Sequence, residues 1–194
     1  HAGGDECAKR WWQDRPMTQE FMRKHKLKDE AALQGYFSHF VQDVIKSKGK
    51  TMVGWDEVME GDVSEDCVIM NWRKPEEGLK AIEKGHKTIF ACSKWCYLNI
   101  VESRLQDEIG AKSAIPLSVE KVYSFRIMPD SISDKEKKLV LGAQGAMWTE
   151  YIPTTWKLEK FLFPRLAALA ENVWTSEDKK SWDNFATKVE RQTE

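Results

Sequence analysis

The chain has 194 residues with 30 Lys and Arg against 31 Asp and Glu, a formal net charge of -1, and is 41% hydrophobic and 31% charged, which excludes disorder and collagen and leaves room for one domain or a large piece of one. Charges of both signs are interspersed, with no block that would release counterions from a nucleic acid or dock on anionic lipid, so neither partner is expected. No apolar stretch approaches the roughly 20 residues that span a bilayer, no repeat period recurs, and the first residue is His1 rather than Met, which reads as a processed or excised piece.

Residues 17–48 read as helix, most clearly from Asp29 onward, where Ala32, Tyr36, Phe40, Val44 and Ile45 recur at helical spacing and Lys48-Gly49 stops the pattern. Thr51-Met52-Val53-Gly54 follows as a short β-prone run ending in Trp55-Asp56-Glu57. A second run, Cys67-Val68-Ile69-Met70, ends in Asn71-Trp72; residues 76–84 read as a short helix closed by Gly85, and residues 87–92 as a third strand. Residues 93–138 hold no sustained period and form a long excursion with at most short helices, a kind of segment that is usually functional in a compact domain. A fourth apolar run at 139–143 leads into Gly145-Ala146-Met147-Trp148-Thr149-Glu150. Residues 157–174 are an Ala/Leu-rich helix, kinked or restarted at Pro164, and residues 180–190 a terminal helix.

Four cysteines, Cys7, Cys67, Cys92 and Cys96, are too few and too irregular for a disulfide scaffold. Cys92 and Cys96 lack the second short-spaced pair that zinc wants, so they read as small residues of a core strand and the loop after it, and neither metal nor cofactor is expected. Short, continuously apolar strands separated by helices indicate a parallel sheet covered on both faces, hence an α/β architecture. Nine tryptophans are present, and three of the four apolar runs end in Trp, with acids beside it in two of them: Trp55-Asp56-Glu57, Trp72 and Trp148-Thr149-Glu150. Residues past strand C-termini build the site of a (β/α)8 barrel and also that of a doubly wound open sheet. Four strands plus a strand end at residues 1–6 leave both architectures open.

Taken together these segments resemble the glycoside hydrolase family 20 β-N-acetylhexosaminidases. The family's His-x-Gly-Gly-Asp-Glu stands as His1-Ala2-Gly3-Gly4-Asp5-Glu6, its Gly-Trp-x-Glu as Gly54-Trp55-Asp56-Glu57 and its lone strand-end Trp as Trp72. Its Tyr-Leu-Asp/Asn stands as Tyr97-Leu98-Asn99 and its Trp-x-Glu as Trp148-Thr149-Glu150, all in the family's order, and residues 164–171 resemble its last barrel helix. The resemblance implies that residues 1–194 are the C-terminal portion of one (β/α)8 TIM barrel, about strands 5–8 plus the end of strand 4.

It further implies exo-acting removal of terminal GlcNAc or GalNAc from a glycan or chito-oligosaccharide, retaining and substrate-assisted, without metal. Glu6 is then the general acid and later base, a task suited to a buried carboxyl beside another carboxylate. Asp5 orients the substrate acetamide, which itself replaces the protein nucleophile of most retaining glycosidases, and Tyr97 donates its hydroxyl to the acetamide oxygen. For Asp5 and Glu6 to act together the strand end must turn, which Gly3-Gly4 permits. Trp55, Trp72 and Trp148 wall the pocket; Asn99 and Glu150 bind the 4- and 6-hydroxyls; His1 and Glu57 support. Trp11, Trp12, Trp95, Trp156, Trp174 and Trp182 receive no role.

Two other readings stay open. The chain as it stands is a non-catalytic carbohydrate-binding fragment, whose open barrel edges invite a homodimer, or Glu57 or Glu150 is a protein nucleophile. The resemblance implies a periplasmic, lysosomal or extracellular location.

Overall fold

The computed structural model describes the chain except residues 62, 106–107, 129–131 and 194. Helices α1 (Arg10–Gln13), α2 (Pro16–Lys24) and α3 (Glu30–Ser47) precede strand β1 (Val53–Trp55). A 3-10 helix, Asp56–Gly61, leads to β2 (Val68–Asn71), α4 (Pro75–Glu83), β3 (Thr88–Phe90) and α5 (Ser93–Cys96). After α6 (Val119–Tyr123) and α7 (Asp134–Lys137) come β4 (Val140–Ala143), a 3-10 helix at Thr149–Tyr151, α8 (Thr155–Leu162), α9 (Arg165–Trp174) and α10 (Trp182–Thr193). Two of the excursion's stretches, 106–107 and 129–131, lie outside the described residues.

The strands form one sheet in the order β1-β2-β3-β4, as expected of α/β architecture. β1 and β2 are parallel, with Val53 opposite Val68 and Trp55 opposite Met70. The ladder continues through Ile69 N–H to Lys87 O (2.9 Å), Thr88 N–H to Leu139 O (2.8 Å) and Gln144 N–H to Phe90 O (2.9 Å). On the other side of β1, Ala2 N–H donates to Val53 O at 2.8 Å and Trp55 N–H to Gly3 O at 2.9 Å. The chain start therefore runs alongside β1 as the expected strand end.

Two compact units divide the chain, residues 1–89 with 133–141 and residues 90–132 with 142–194. In the first, Met52, Val58, Val63, Cys67, Ile69 and Ala81 form a buried cluster against which Val41, Ile45 and Met59 pack. The helix expected over 17–48 is two helices. Lys26 adopts φ +55°, which breaks the pattern without a glycine, and Asp29 starts α3 by accepting the N–H of Ala32 at 2.8 Å. The apolar stripe of α3 is divided: Ala32 and Ile45 are half-buried, Ile45 against the core cluster, but Tyr36, Phe40 and Val44 are exposed, whereas Gln34, Gly35, Ser38 and Gln42 are buried. Those polar residues have work on the inside, Gln42 donating to Asp66 Oδ1 at 2.8 Å and Gln34 to Gly4 O at 2.8 Å.

In the second unit, α6 packs on α9, with Val122, Ala168 and Leu169 buried and Asn172 Nδ2 donating to Val122 O at 2.9 Å. Pro164 separates α8 from α9, so the pattern expected over 157–174 is a restart. Cys92 and Cys96 are fully buried, as small core residues should be.

Candidate active site

The acid pair sits on a turn that the glycines make possible. Gly3 (φ +72°), Gly4 (φ +105°) and Glu6 (φ +48°) all lie in the left-handed region, so the chain leaves the sheet directly after the last hydrogen bond to Trp55. A Cβ on Gly4 would stand 2.4 Å from Val58 Cγ1, so the position has neither the conformation nor the space for a side chain. Gln34 of α3 holds the Gly4 carbonyl and in turn accepts from Lys9 Nζ at 2.8 Å. The burial expected for Glu6 is not found. Both Asp5 and Glu6 are exposed, because they lie beyond the end of the sheet.

Trp55, at the end of β1, is buried, and the His1 ring lies 5.0 Å from its ring centre to centre at 59°. His1 Nδ1 also accepts the N–H of Gly3 at 3.1 Å, so the first residue is tied to the turn it precedes. The carboxylates after Trp55 divide between two tasks. Asp56 is fully buried and accepts from Arg73 Nε at 2.9 Å and Asn71 Nδ2 at 2.6 Å. Glu57 accepts the indole N–H of Trp72 on both oxygens, at 3.1 and 3.0 Å, with Arg73 Nε 3.8 Å away. Burial, then the hydrogen bond with Asp56, pushes the Glu57 carboxyl up to about 7, against the opposing pull of the Trp72 donor.

In the second unit Tyr97 follows α5 and bridges Ala146 in parallel. Leu98 N–H donates to Ala146 O and Ala146 N–H to Cys96 O, both at 2.8 Å. This pairing brings Tyr97 to Trp148, ring centres 5.8 Å apart and edge-on. Asn99 is 4% exposed and its Oδ1 is buried without a hydrogen-bond partner among the described residues. Trp148 is 42% exposed, and Glu150 is exposed on the 3-10 helix that follows.

Thus the structure brings together His1 with Trp55, Glu57 with Trp72, and Tyr97 with Trp148. Asp56, Asn71, Arg73, Gln34 and Arg165 were not singled out from the sequence. Asp56 and Arg73 had a signal in their adjacency to strand-end tryptophans; Gln34 had none. A cavity of about 610 Å³ in the second unit is lined by Glu102, Leu105, Glu108, Trp156, Lys157 and Lys160, among others, none of them an expected site residue. Among the described residues no three His, Cys, Asp or Glu side chains are grouped to hold a metal ion, and no helix is long and apolar enough to cross a membrane.

Residues 1–177 match the glycosyl hydrolase family 20 catalytic domain, and the chain belongs to that family. It is similar to a β-hexosaminidase of Porphyromonas gingivalis, 34% identical over 192 residues that make 98% of this chain and 24% of that protein. A β-hexosaminidase of Vibrio furnissii is 31% identical over 172 residues, 88% of this chain and 28% of the relative. The crystal structure of an exo β-N-acetylglucosaminidase from Vibrio harveyi in complex with N-acetylglucosamine superposes with a TM-score of 0.90 at 30% identity, over 97% of this chain and 30% of that one. The fold is accordingly part of a (β/α)8 barrel, and the chain spans about a quarter to a third of the length of these relatives.

Proposed function

We propose that the protein carrying this chain is an exo-acting β-N-acetylhexosaminidase that removes terminal GlcNAc or GalNAc with retention of configuration. The observation that carries this reading is the turn at Gly3–Glu6, which presents two acids at a strand end beside Trp55, in a chain of family 20. This chain is then the C-terminal part of the catalytic barrel.

In the first step the Glu6 carboxyl protonates the glycosidic oxygen as the substrate's acetamide oxygen attacks the anomeric carbon, expelling the aglycone and forming a cyclic oxazolinium ion. Asp5 accepts the acetamide N–H as positive charge develops there, and the Tyr97 hydroxyl donates to the attacking oxygen. In the second step the Glu6 carboxylate takes a proton from water, which attacks the anomeric carbon, reopens the ring and restores the acetamide. Two inversions give net retention. Trp55, Trp72 and Trp148 supply apolar walls that hold the acetamide within reach of the anomeric carbon; Asn99 and Glu150 take ring hydroxyls; His1 and Glu57 hold Trp55 and Trp72. Engagement of both Glu57 oxygens by Trp72 favours this supporting task over that of a nucleophile.

The test is release of chromophore by the full-length protein from an aryl N-acetyl-β-glucosaminide and from the matching aryl β-glucoside. Only the first should be cleaved, and Glu6→Gln and Asp5→Asn should each lose about 10³-fold or more in kcat. Equal cleavage of both substrates would overturn the substrate-assisted route. The exposure of Asp5 and Glu6 favours a second reading for the 194-residue chain alone, as a sugar-binding but catalytically silent piece, since the reaction needs a site shielded from bulk solvent that admits a single attacking water. Turnover by the isolated chain at the full-length rate would refute it.

A further inference from the structure

Arg165 at the start of α9 is 0% exposed, and a guanidinium is rarely buried to that degree without a dedicated set of acceptors. Its acceptors here are almost all backbone. Nη2 donates to Leu98 O at 2.6 Å and Phe161 O at 2.7 Å, Nη1 to Ile100 O at 2.7 Å and Leu117 O at 3.1 Å, and Nε to Phe161 O at 3.1 Å. Glu102 Oε1, 3.1 Å from Nε, supplies the countercharge.

Residues 97–100 form a turn, Ile100 N–H donating to Tyr97 O at 3.1 Å, and one planar fork meets the carbonyls of both 98 and 100. The carbonyl between them, that of Asn99, accepts instead from Ala111 N–H at 3.1 Å. With Leu98 N–H on Ala146 O, residues 98–100 are fixed by Arg165, Ala111 and Ala146 together. This short segment carries Asn99, whose Oδ1 is buried and unpartnered among the described residues, and follows directly on Tyr97.

We propose that Arg165 is a positioning residue for sugar recognition, acting through the carbonyls of Leu98 and Ile100 to set Tyr97 and Asn99 at the acetamide and ring hydroxyls. The proposal rests on the reading of those two residues given above. A merely structural arginine would change how much protein folds, whereas a positioning arginine changes what each folded molecule does, because a displacement of about 1 Å in a reacting group costs up to about 10²-fold in rate.

The experiment measures kcat and KM of Arg165→Lys and Arg165→Met in the full-length protein on an aryl N-acetyl-β-glucosaminide, per folded molecule as counted by near-ultraviolet circular dichroism of a monodisperse fraction. Both variants should fall about 10- to 100-fold in kcat/KM, with Lys, which keeps a charge and some donors, recovering part of the loss. Combined with Tyr97→Phe, the Arg165→Lys loss should be much less than multiplicative, and combined with Trp55→Phe it should multiply. Folded Arg165→Lys with unchanged kcat and KM, or full multiplicativity with Tyr97→Phe, overturns the proposal. Should neither arginine variant fold, Ala111→Pro removes the donor on Asn99 O from a different segment and should show the same loss; unchanged kinetics there overturns it equally. A wild-type protein silent on the substrate would reject the functional reading before any Arg165 variant entered, and the proposal with it.

Discussion

The indole of Trp72 donates to both oxygens of Glu57, at 3.1 and 3.0 Å, so the ring's orientation at the end of β2 is set by a carboxylate from the end of β1. Neighbouring Asp56 is held by Arg73 and Asn71. Two consecutive acids thus serve different partners, one a half-buried cation and one an aromatic wall. This explains why Glu57 stands partly desolvated with its carboxyl pushed up to about 7, mainly by burial and by its bond with Asp56.

A pH dependence of stability follows. An ordinary glutamate in the unfolded chain ionises near 4.5, while folded Glu57 holds its proton to about 7. Between those values the native state binds more protons than the unfolded one, so its stability falls as pH rises. Melting temperatures of wild type and Glu57→Gln, measured from pH 4.5 to 7.5, should differ in slope, the wild type declining more steeply; equal slopes would refute the raised pKa of Glu57.

What the sequence disclosed and what it hid have physical causes. Strands and strand-end motifs were legible because each apolar run is short and bounded by polar or turn-forming residues, and Gly3-Gly4 permitted the turn that the structure makes. The break between α2 and α3 was hidden because Lys26, which takes the left-handed conformation, is not a residue type that signals it. The inward face of α3 was hidden for a different reason. Apolar periodicity selects Ala32, Tyr36, Phe40, Val44 and Ile45, of which Tyr36, Phe40 and Val44 are exposed, while the buried face does hydrogen-bonding work through Gln34 and Gln42. Arg165 was illegible because its acceptors are backbone carbonyls, which have no identity in a sequence.

Gly35 sits where α3 touches the 3-10 helix after β1: a Cβ there would lie 2.5 Å from both Cα and O of Gly61. Helix propensity favours Ala over Gly by about 1 kcal/mol, but overpacking against backbone costs about 1–3 kcal/mol, and backbone has no rotamer in which to yield. Gly35→Ala should therefore destabilise the protein on denaturant unfolding. Because adjacent Gln34 holds Gly4 O, a displaced α3 should also disturb the Asp5–Glu6 turn, lowering kcat of the folded fraction. A stabilised or fully active variant would refute the close contact.

Tyr97→Phe removes one hydroxyl and keeps the edge-on contact with Trp148, ring centres 5.8 Å apart. On the proposed chemistry that hydroxyl holds the attacking acetamide oxygen in line with the anomeric carbon, so kcat should fall up to about 10²-fold while KM moves little. Steady-state kinetics on the N-acetylglucosaminide decide it; a KM effect with intact kcat would make Tyr97 a binding group only.

Asn99 separates stability from function. A buried polar atom without a partner costs about 1–3 kcal/mol, and Asn99 Oδ1 is such an atom among the described residues. The near-isosteric Asn99→Leu removes that oxygen, so thermal stability should stay level or rise. If the orphan oxygen is kept for a ring hydroxyl, the same change should weaken sugar binding by an amount typical of a lost hydrogen bond in a built site. Titrating the full-length protein with N-acetylglucosamine by calorimetry, beside a melting curve of the same variant, reads both quantities. A destabilised variant with unchanged affinity would assign Asn99 to the core, whereas a level or raised melting temperature with a loss of about tenfold or more in affinity, about 1.4 kcal/mol, would assign the oxygen to the ligand.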